Sequence, residues 1–441
     1  MVFTRFTFFS IFSALVFIFC SENIHAQYDY YDSNSVGGVI IDASGMVSQA
    51  RPDEMKKLLS ERKNAMTPVS EAFHGQTNSR SISLKKIDAE LAACKKNGTD
   101  IPESILYLGG LTSVEYVFIY PETQDIVLVG PAEEWTVGTN GVIVGKNTGK
   151  PVMMLDDLAT ALRATQGSIR NVFSVSIDPT LEGIQQLRAY AQTIKNVTST
   201  KKVSQEMTKR LGPQVVTLSG VPADSHFAGI LVAADFRMKQ ISMGAEKSPV
   251  PGLPSFVSMM KKPTDSQDQP RWWLAPNYQN ITRSKDGLAW NLSGGKVVAL
   301  TETDYVDGNK IIHGTGKASP VYGEWAKKMT ENYDALSVAD PIFGQLRTCM
   351  DAAIVAAIIT ENNFLNVAPL NSILSEETYS TLKFNVPKNV PSTAVMAKKG
   401  NAILAVNGGV SINMWEIVKN AKTSSELSVK ENIAPTENWW K

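Results

Sequence analysis

Apolar residues recur along this chain in three different ways. The first is a nearly continuous run, Phe8 to Phe19 (FFSIFSALVFIF), preceded by Arg5 and followed by Ile24-His25-Ala26. A basic start, a short apolar stretch and a small residue at the exit are the parts of a secretory signal. Residues 1–26 therefore read as a signal peptide, cleaved after Ala26 to leave Gln27 as the mature N-terminus. The run is short for a spanning helix, which needs roughly 20 mostly apolar residues. Phe19 before Cys20 also lacks the small residue expected ahead of a lipid-modified cysteine.

The second pattern is strand-like. Glu115 to Tyr120 (EYVFIY) and Asp125 to Val129 (DIVLV) are β-rich runs joined by Pro121-Glu122-Thr123-Gln124, a hairpin that Gly130-Pro131 should stop. Shorter strands are expected at 38–45, 172–177, 215–218, 393–397, 402–406 and 410–413, with Asn407-Gly408-Gly409 as a tight hairpin turn. From Trp272 to Asp304 the chain is strand-like again.

The third pattern is helical. Ser83 caps a helix whose face carries Leu84, Ile87, Leu91 and Cys94, closed by Asn97-Gly98. Asp156 is placed to cap a helix over 157–165, and Asp178-Pro179 to open one running to about Lys195. Phe227, Ile230, Leu231, Ala234, Met238 and Ile241 give a helix over 225–243. A helical block is expected over 320–362, with Asp340-Pro341 opening its last helix and Arg347–Asp351 as an i,i+4 pair. Residues 66–80 read as loop.

Together these predict a mixed α/β chain of the α+β class. An N-terminal α/β region covers 27–247, and a proline-rich boundary lies at 248–270. A β-then-α-then-β region follows over 271–418, and a polar tail over 419–441 ends in Trp439-Trp440. After the signal no segment is read as crossing a membrane, and Ala352 to Ile359 (AAIVAAII) is taken as a buried helix.

The formal net charge of zero removes the basic footprint that nucleic acid or an anionic membrane surface attracts. Of the cysteines, Cys94 and Cys349 follow the signal; both fall inside helices, so two buried thiols are as good a reading as a disulfide. Few histidines and no CxxC leave no expected metal centre, and no cofactor is called for.

The phosphate-loop spacing fails at Val144 to Pro151 (VGKNTGKP), where proline stands in place of the magnesium-binding hydroxyl. Ser83-Leu-Lys-Lys86 and Ser258-Met-Met-Lys261 lack the partner motifs of SxxK enzymes. The acid pairs Glu133-Glu134 and Asp156-Asp157 are adjacent in sequence, which points their side chains apart. His226, beside Asp224 and Ser225 at a helix start, is the one candidate base. Asp235 lies on the opposite face of that helix and reads with Lys239 as a surface pair. Trp272 and Trp273 are neighbours on a strand, so one should enter the core while the other is free to stack on a ligand.

Several segments in order resemble an exported planctomycete family catalogued as domain of unknown function 1598. They include Glu115 to Thr123, Asp125 to Glu133, Leu155 to Leu158, Ser176 to Thr180, Ala233 to Lys239, Pro270 to Trp273, Asp286 to Trp290 and Pro341 to Arg347. The resemblance implies no reaction and carries over no catalytic residue. The expectation is an exported, non-catalytic envelope or extracellular protein that binds a protein or polymer through exposed aromatics. The alternative is a hydrolase using His226 with a carboxylate from elsewhere, such as Glu115 or Asp125.

Overall fold

The computed structural model describes residues 52–138, 141–194, 199–260, 268–278, 281–307, 310–312, 320–396, 406–430 and 433–441, with short strands at Ser35–Val36, Val39–Ile41, Val47–Gln49 and Ile403–Leu404. The signal segment and the cleavage position lie outside the described residues. The fold is α+β.

Two sheets organise the described residues. The larger has seven strands in the order Lys310–Ile312, Lys296–Asp307, Asp268–Asn277, Asn407–Ile412, Phe173–Pro179, Gln214–Ser219 and Asn389–Val390. Asp268–Asn277 and Asn407–Ile412 pair in parallel; every other neighbour pair in this sheet is antiparallel. Its strands come from both sides of the proline-rich stretch at 248–270. Val250, Leu253 and Phe256 from that stretch are buried in the same core as Trp272 and Val175. The prolines divide the sequence, but they divide neither the sheet nor the core.

One face of this sheet is covered. Phe173, Val175 and Ile177 are buried there, while Ser174, Ser176 and Asp178 alternate with them on the other face and stay half-buried. The helix His226–Met243 packs across the covered face, and Pro341–Glu361 packs behind it against Leu155–Thr165 and Met414–Lys419. By length and composition Pro341–Glu361 could cross a bilayer, contrary to the expectation from sequence that nothing after the signal is long and apolar enough. Its most apolar window is 94% buried inside the fold, which is the role expected of a core helix.

The six-stranded sheet runs Lys422–Thr423, Thr282–Arg283, Ala289–Asn291, Tyr116–Tyr120, Asp125–Glu133 and Gln76–Ser83. Gln76–Ser83 lies where a loop was expected, because QTNSRSIS is too polar to read as a strand; only its last four residues are buried. Gly130-Pro131 does not stop the second hairpin strand, which runs on to Glu133. The C-terminus docks back on this sheet: Ser81 and Lys441 exchange backbone hydrogen bonds at 2.9 Å, and Ser83 N–H donates to the Trp439 carbonyl at 2.8 Å. Trp439 and Trp440 pack on Phe73, and Lys86 Nζ donates to the carbonyls of Pro435, Thr436 and Asn438. The tail thereby covers an edge that would otherwise be open to strand pairing.

Other local expectations shift in instructive ways. Asn407-Gly408-Gly409 is part of a strand, not a hairpin turn. A Cβ on Gly408 would stand 1.8 Å from the Trp272 carbonyl oxygen, so glycine there serves close strand packing. Asp178 and Pro179 end a strand; Thr180 caps the following helix, accepting from Gly183 N–H at 3.0 Å. Arg347 reaches Asp334 rather than Asp351, whose carboxylate instead accepts from Val114 N–H at 3.0 Å and from the Tyr278 hydroxyl. Cys94 and Cys349 are both free thiols.

Candidate functional site

Two polar regions compete for the functional role. The first is a buried cluster at the junction of three helices. Ser225 caps the helix His226–Met243 by accepting from Ala228 N–H at 3.1 Å, which fixes His226 in the first turn. Its Nδ1–H donates to the Asp157 carboxylate at 2.9 and 3.1 Å. The Cys349 thiol, from Pro341–Glu361, also hydrogen-bonds Asp157. Asp156 is buried alongside, its Oδ1 accepting from Leu382 N–H at 2.8 Å while Oδ2 has no partner among the described residues.

Asp156 therefore does not cap its helix. That helix begins at Leu155 without a side-chain cap, and Asp156 sits in its first turn facing inward. Nor do Glu115 or Asp125 partner His226. Asp125 is held by the Ser83 hydroxyl at 2.6 Å and Lys85 N–H at 3.2 Å, and Glu115 lies in the charge environment of Asp351. The carboxylate is Asp157, half of a pair that sequence reasoning had set aside.

The electrostatics follow from burial. Desolvation raises the Asp156 carboxyl to about 7, the adjacent Asp157 charge pushes the same way, and Leu382 N–H, His226 and Arg163 act against it. Burial alone would lower the His226 pKa, but the charge and hydrogen bond of Asp157 outweigh it and hold the imidazole above its ordinary value. Burial, with Asp157 next, pushes the Cys349 thiol well up. Burial and the Asp157 charge together favour the charged imidazole and the uncharged forms of the Asp156 carboxyl and the Cys349 thiol. Asp157 stands between histidine and cysteine, so the imidazole does not meet the thiol, and a thiol whose pKa is pushed up is not an activated nucleophile.

Access settles what this cluster can do. His226 is 4% exposed and Asp157 3%. Phe384 lies 5.0 Å from the imidazole ring centre. The segment carrying Phe384 is stitched down through Phe384 N–H to the Asp224 carbonyl at 2.8 Å and through Leu382 to Asp156. Arg163 secures the preceding turn by donating to the Ile373 and Tyr379 carbonyls at 2.6 Å.

The second region is open. Trp272 is fully buried among Phe256, Tyr322 and Trp325, its indole N–H donating to the Tyr322 carbonyl at 3.2 Å. It is no binding residue, because strand alternation sends it to the covered face. Trp273 goes to the other face and stays half-buried. There Leu300 pairs with it on one side and Gly409 on the other. A Cβ on Gly409 would stand 2.8 Å from Trp273 Cζ3, so the indole lies across the neighbouring strand. The Arg271 guanidinium lies 4.5 Å from the ring centre and steadies it.

Trp273, Ala275, Leu300 and Ser411 floor a groove of about 1140 Å³. Asn413, Glu416, Ile417 and Asn420 form one wall. Asn413 accepts from Glu416 N–H at 3.4 Å and donates to the Glu416 carboxylate at 2.9 Å, so this wall is braced from within. Leu300 is 52% exposed at the rim.

Two further motifs have structural explanations. In the glycine- and lysine-rich turn at 144–151, the N–H groups of Asn147 and Thr148 donate to buried Glu133 at 2.8 and 3.2 Å. An internal carboxylate already fills the place where a phosphate would sit. Asp235 and Lys239 do pair, at 2.9 Å, but inside the core rather than on the surface. Lys239 also donates to the Gly408 carbonyl at 3.1 Å and to that of Ile177, joining helix to sheet. Among the described residues no group of three histidine, cysteine or acidic side chains could hold a metal.

No curated protein matches the chain, and no solved structure matches it. Residues 175–256 match the family model described as "Protein of unknown function (DUF1598)", a segment that carries two strands of the large sheet and the helix His226–Met243.

Proposed function

We propose that this chain is an exported, non-catalytic binding protein that holds an envelope or extracellular partner in the groove over Trp273. The observation that carries the reading is the contrast in access. The acid–base groups of the cluster are sealed inside, while a groove lined by half-buried Trp273 and exposed Leu300 opens at the edge of the large sheet. Export rests on the basic, apolar and small-residue parts of residues 1–26.

The hydrolase alternative keeps one point in its favour, the His226–Asp157 hydrogen bond. Against it stands burial, since a general base must come within hydrogen-bond reach of a substrate proton.

The test is a photoreactive amino acid at position 300, expressed in the native host and activated in intact cells. A covalent adduct in the envelope or extracellular fraction is expected, on a chain that begins at Gln27. The same probe at exposed Ile169, which lines no part of the groove, should give none. Equal labelling from both positions, or an adduct only in the cytoplasm, would sink the proposal.

A further inference from the structure

We infer that residues 433–441 dock on a second copy of this chain as they dock on their own, so that copies are linked by exchanging this segment. The site that receives it has three parts. The first is the outer edge of Gln76–Ser83, where Ser81 and Lys441 exchange backbone hydrogen bonds at 2.9 Å and Ile82 pairs antiparallel with Trp440. The second is the Lys86 ammonium, which donates to the carbonyls of Pro435, Thr436 and Asn438 at 3.0, 2.8 and 3.1 Å and so uses its full donor capacity. The third is an aromatic shelf of Phe73, Tyr107 and Trp135, against which Trp439 and Trp440 pack. These contacts are made to backbone groups and to ring faces, and none needs the segment to belong to the same chain.

The segment is held lightly over a surface that is strongly apolar. Among the described residues of 424–441, only Pro435 is buried. Beneath them Phe73, Phe118, Val127 and Val129 are almost fully buried, and Leu427, Val429, Ile433 and Ala434 pack on the group that holds the last three. A segment with so little buried surface of its own opens at small cost. Opening bares an apolar face and a free strand edge together. The occupant whose fit to that site the fold displays is this same segment, supplied by a neighbour. The chain between Thr423 and Trp439 reaches about 50 Å when extended, enough to cross to a copy lying alongside. Exchange re-forms the same contacts in each copy, which makes it a low-cost route to a dimer. The segment's own copy competes at an effective concentration on the order of millimolar, so exchange belongs to high local concentration.

The test uses the mature chain with Cys94→Ser, which removes the half-buried native thiol. One form carries Ser81→Cys, and a second, differently tagged form carries Lys441→Cys. Residues of a hydrogen-bonded antiparallel pair have Cα atoms about 5.5 Å apart, within the span of a disulfide. Mixed at high concentration under mild oxidation, the two forms should give a disulfide-linked heterodimer. Trp439→Ala with Trp440→Ala in the Ser81→Cys form loosens its own segment and should raise the rate of linkage about tenfold. The same two substitutions in the Lys441→Cys form should lower it about tenfold. Absence of the heterodimer overturns the inference, and so does a rate that lacks these opposite responses, which would mark chance collision. A fluorescent peptide of residues 433–441 gives a reading that needs no bridge. It should bind the chain carrying Trp439→Ala and Trp440→Ala about tenfold more tightly than the parent, whose own segment fills the site. Equal binding to both chains, or binding to neither, shows a segment fixed to its own copy and overturns the inference.

Discussion

The buried cluster and the open groove use similar chemistry for opposite ends. Each has carboxylates, a cationic partner and an aromatic ring. Around His226 the charges face one another and are closed off by Phe384 and the stitched segment beneath it. Around Trp273 the charges are spread along walls that face solvent. A histidine with an aspartate at 2.9 Å has the first geometric feature of a catalytic base. Here it joins three helices at a place that is almost fully buried. Proximity of acid and base identifies a site only when a path to it exists.

The largest effect that would break this comparison lies at Asp157. Asp157→Ala removes the shared acceptor of His226 and Cys349 and leaves a buried imidazole without its counter-charge. Removing one partner of a buried pair costs about 3–5 kcal/mol. Urea unfolding should show that loss in the midpoint, with photolabelling through position 300 by the folded fraction unchanged. A stability loss below about 1 kcal/mol would mean that the cluster is not structural, and the hydrolase alternative would gain ground.

A somewhat smaller effect follows at Asp156, with a sign fixed by titration. Its folded pKa is about 7, against about 3.9 for an unfolded aspartate. Between about pH 4 and pH 7 the folded chain holds a proton that the unfolded chain has released, so stability falls as pH rises through that window. Asp235, also raised to about 7 by burial, acts in the same direction. His226 carries the fall to higher pH, since its raised pKa gives stability that is fully present below about 6.5 and lost as pH rises through the folded value. Asp156→Asn keeps an acceptor for Leu382 N–H and cannot ionise. It should stabilise the protein by roughly 2–4 kcal/mol at pH 8, and by under about 1 kcal/mol at pH 4. Melting curves at the two pH values decide the matter; an equal gain at both would show that Asp156 is not ionising in the fold.

The tryptophan pair was more legible in the sequence than the cluster. Two adjacent tryptophans on a strand must face opposite ways, a rule that divides the pair without saying which of Trp272 and Trp273 enters the core. The strong hairpin, the Ser83 cap and the helix over 226–243 were also readable, because each depends on neighbours in sequence. The cluster depends on helix packing that joins residues 69 positions apart, for which no local signal exists. Polar residues misled for a related reason. Gln76–Ser83 looked like loop because its partner strand, not its own composition, supplies its order. Lys239 looked like surface because its three acceptors come from its own helix and from two strands.

The smallest effect sharpens the comparison from the other side. Leu300 is a large apolar residue left 52% exposed on a sheet face where its neighbours across the strand are Trp273 and, along its own strand, Glu302. If that exposure exists for a ligand, the fold should not depend on it. Leu300→Asp in the free protein should change stability by no more than about 0.5 kcal/mol, the range for surface substitutions away from packed features. A stability loss near that of Asp157→Ala would instead make Leu300 part of a packed interface within the chain. The groove would then be a seam of the fold, and the contrast between a sealed cluster and an open site would disappear.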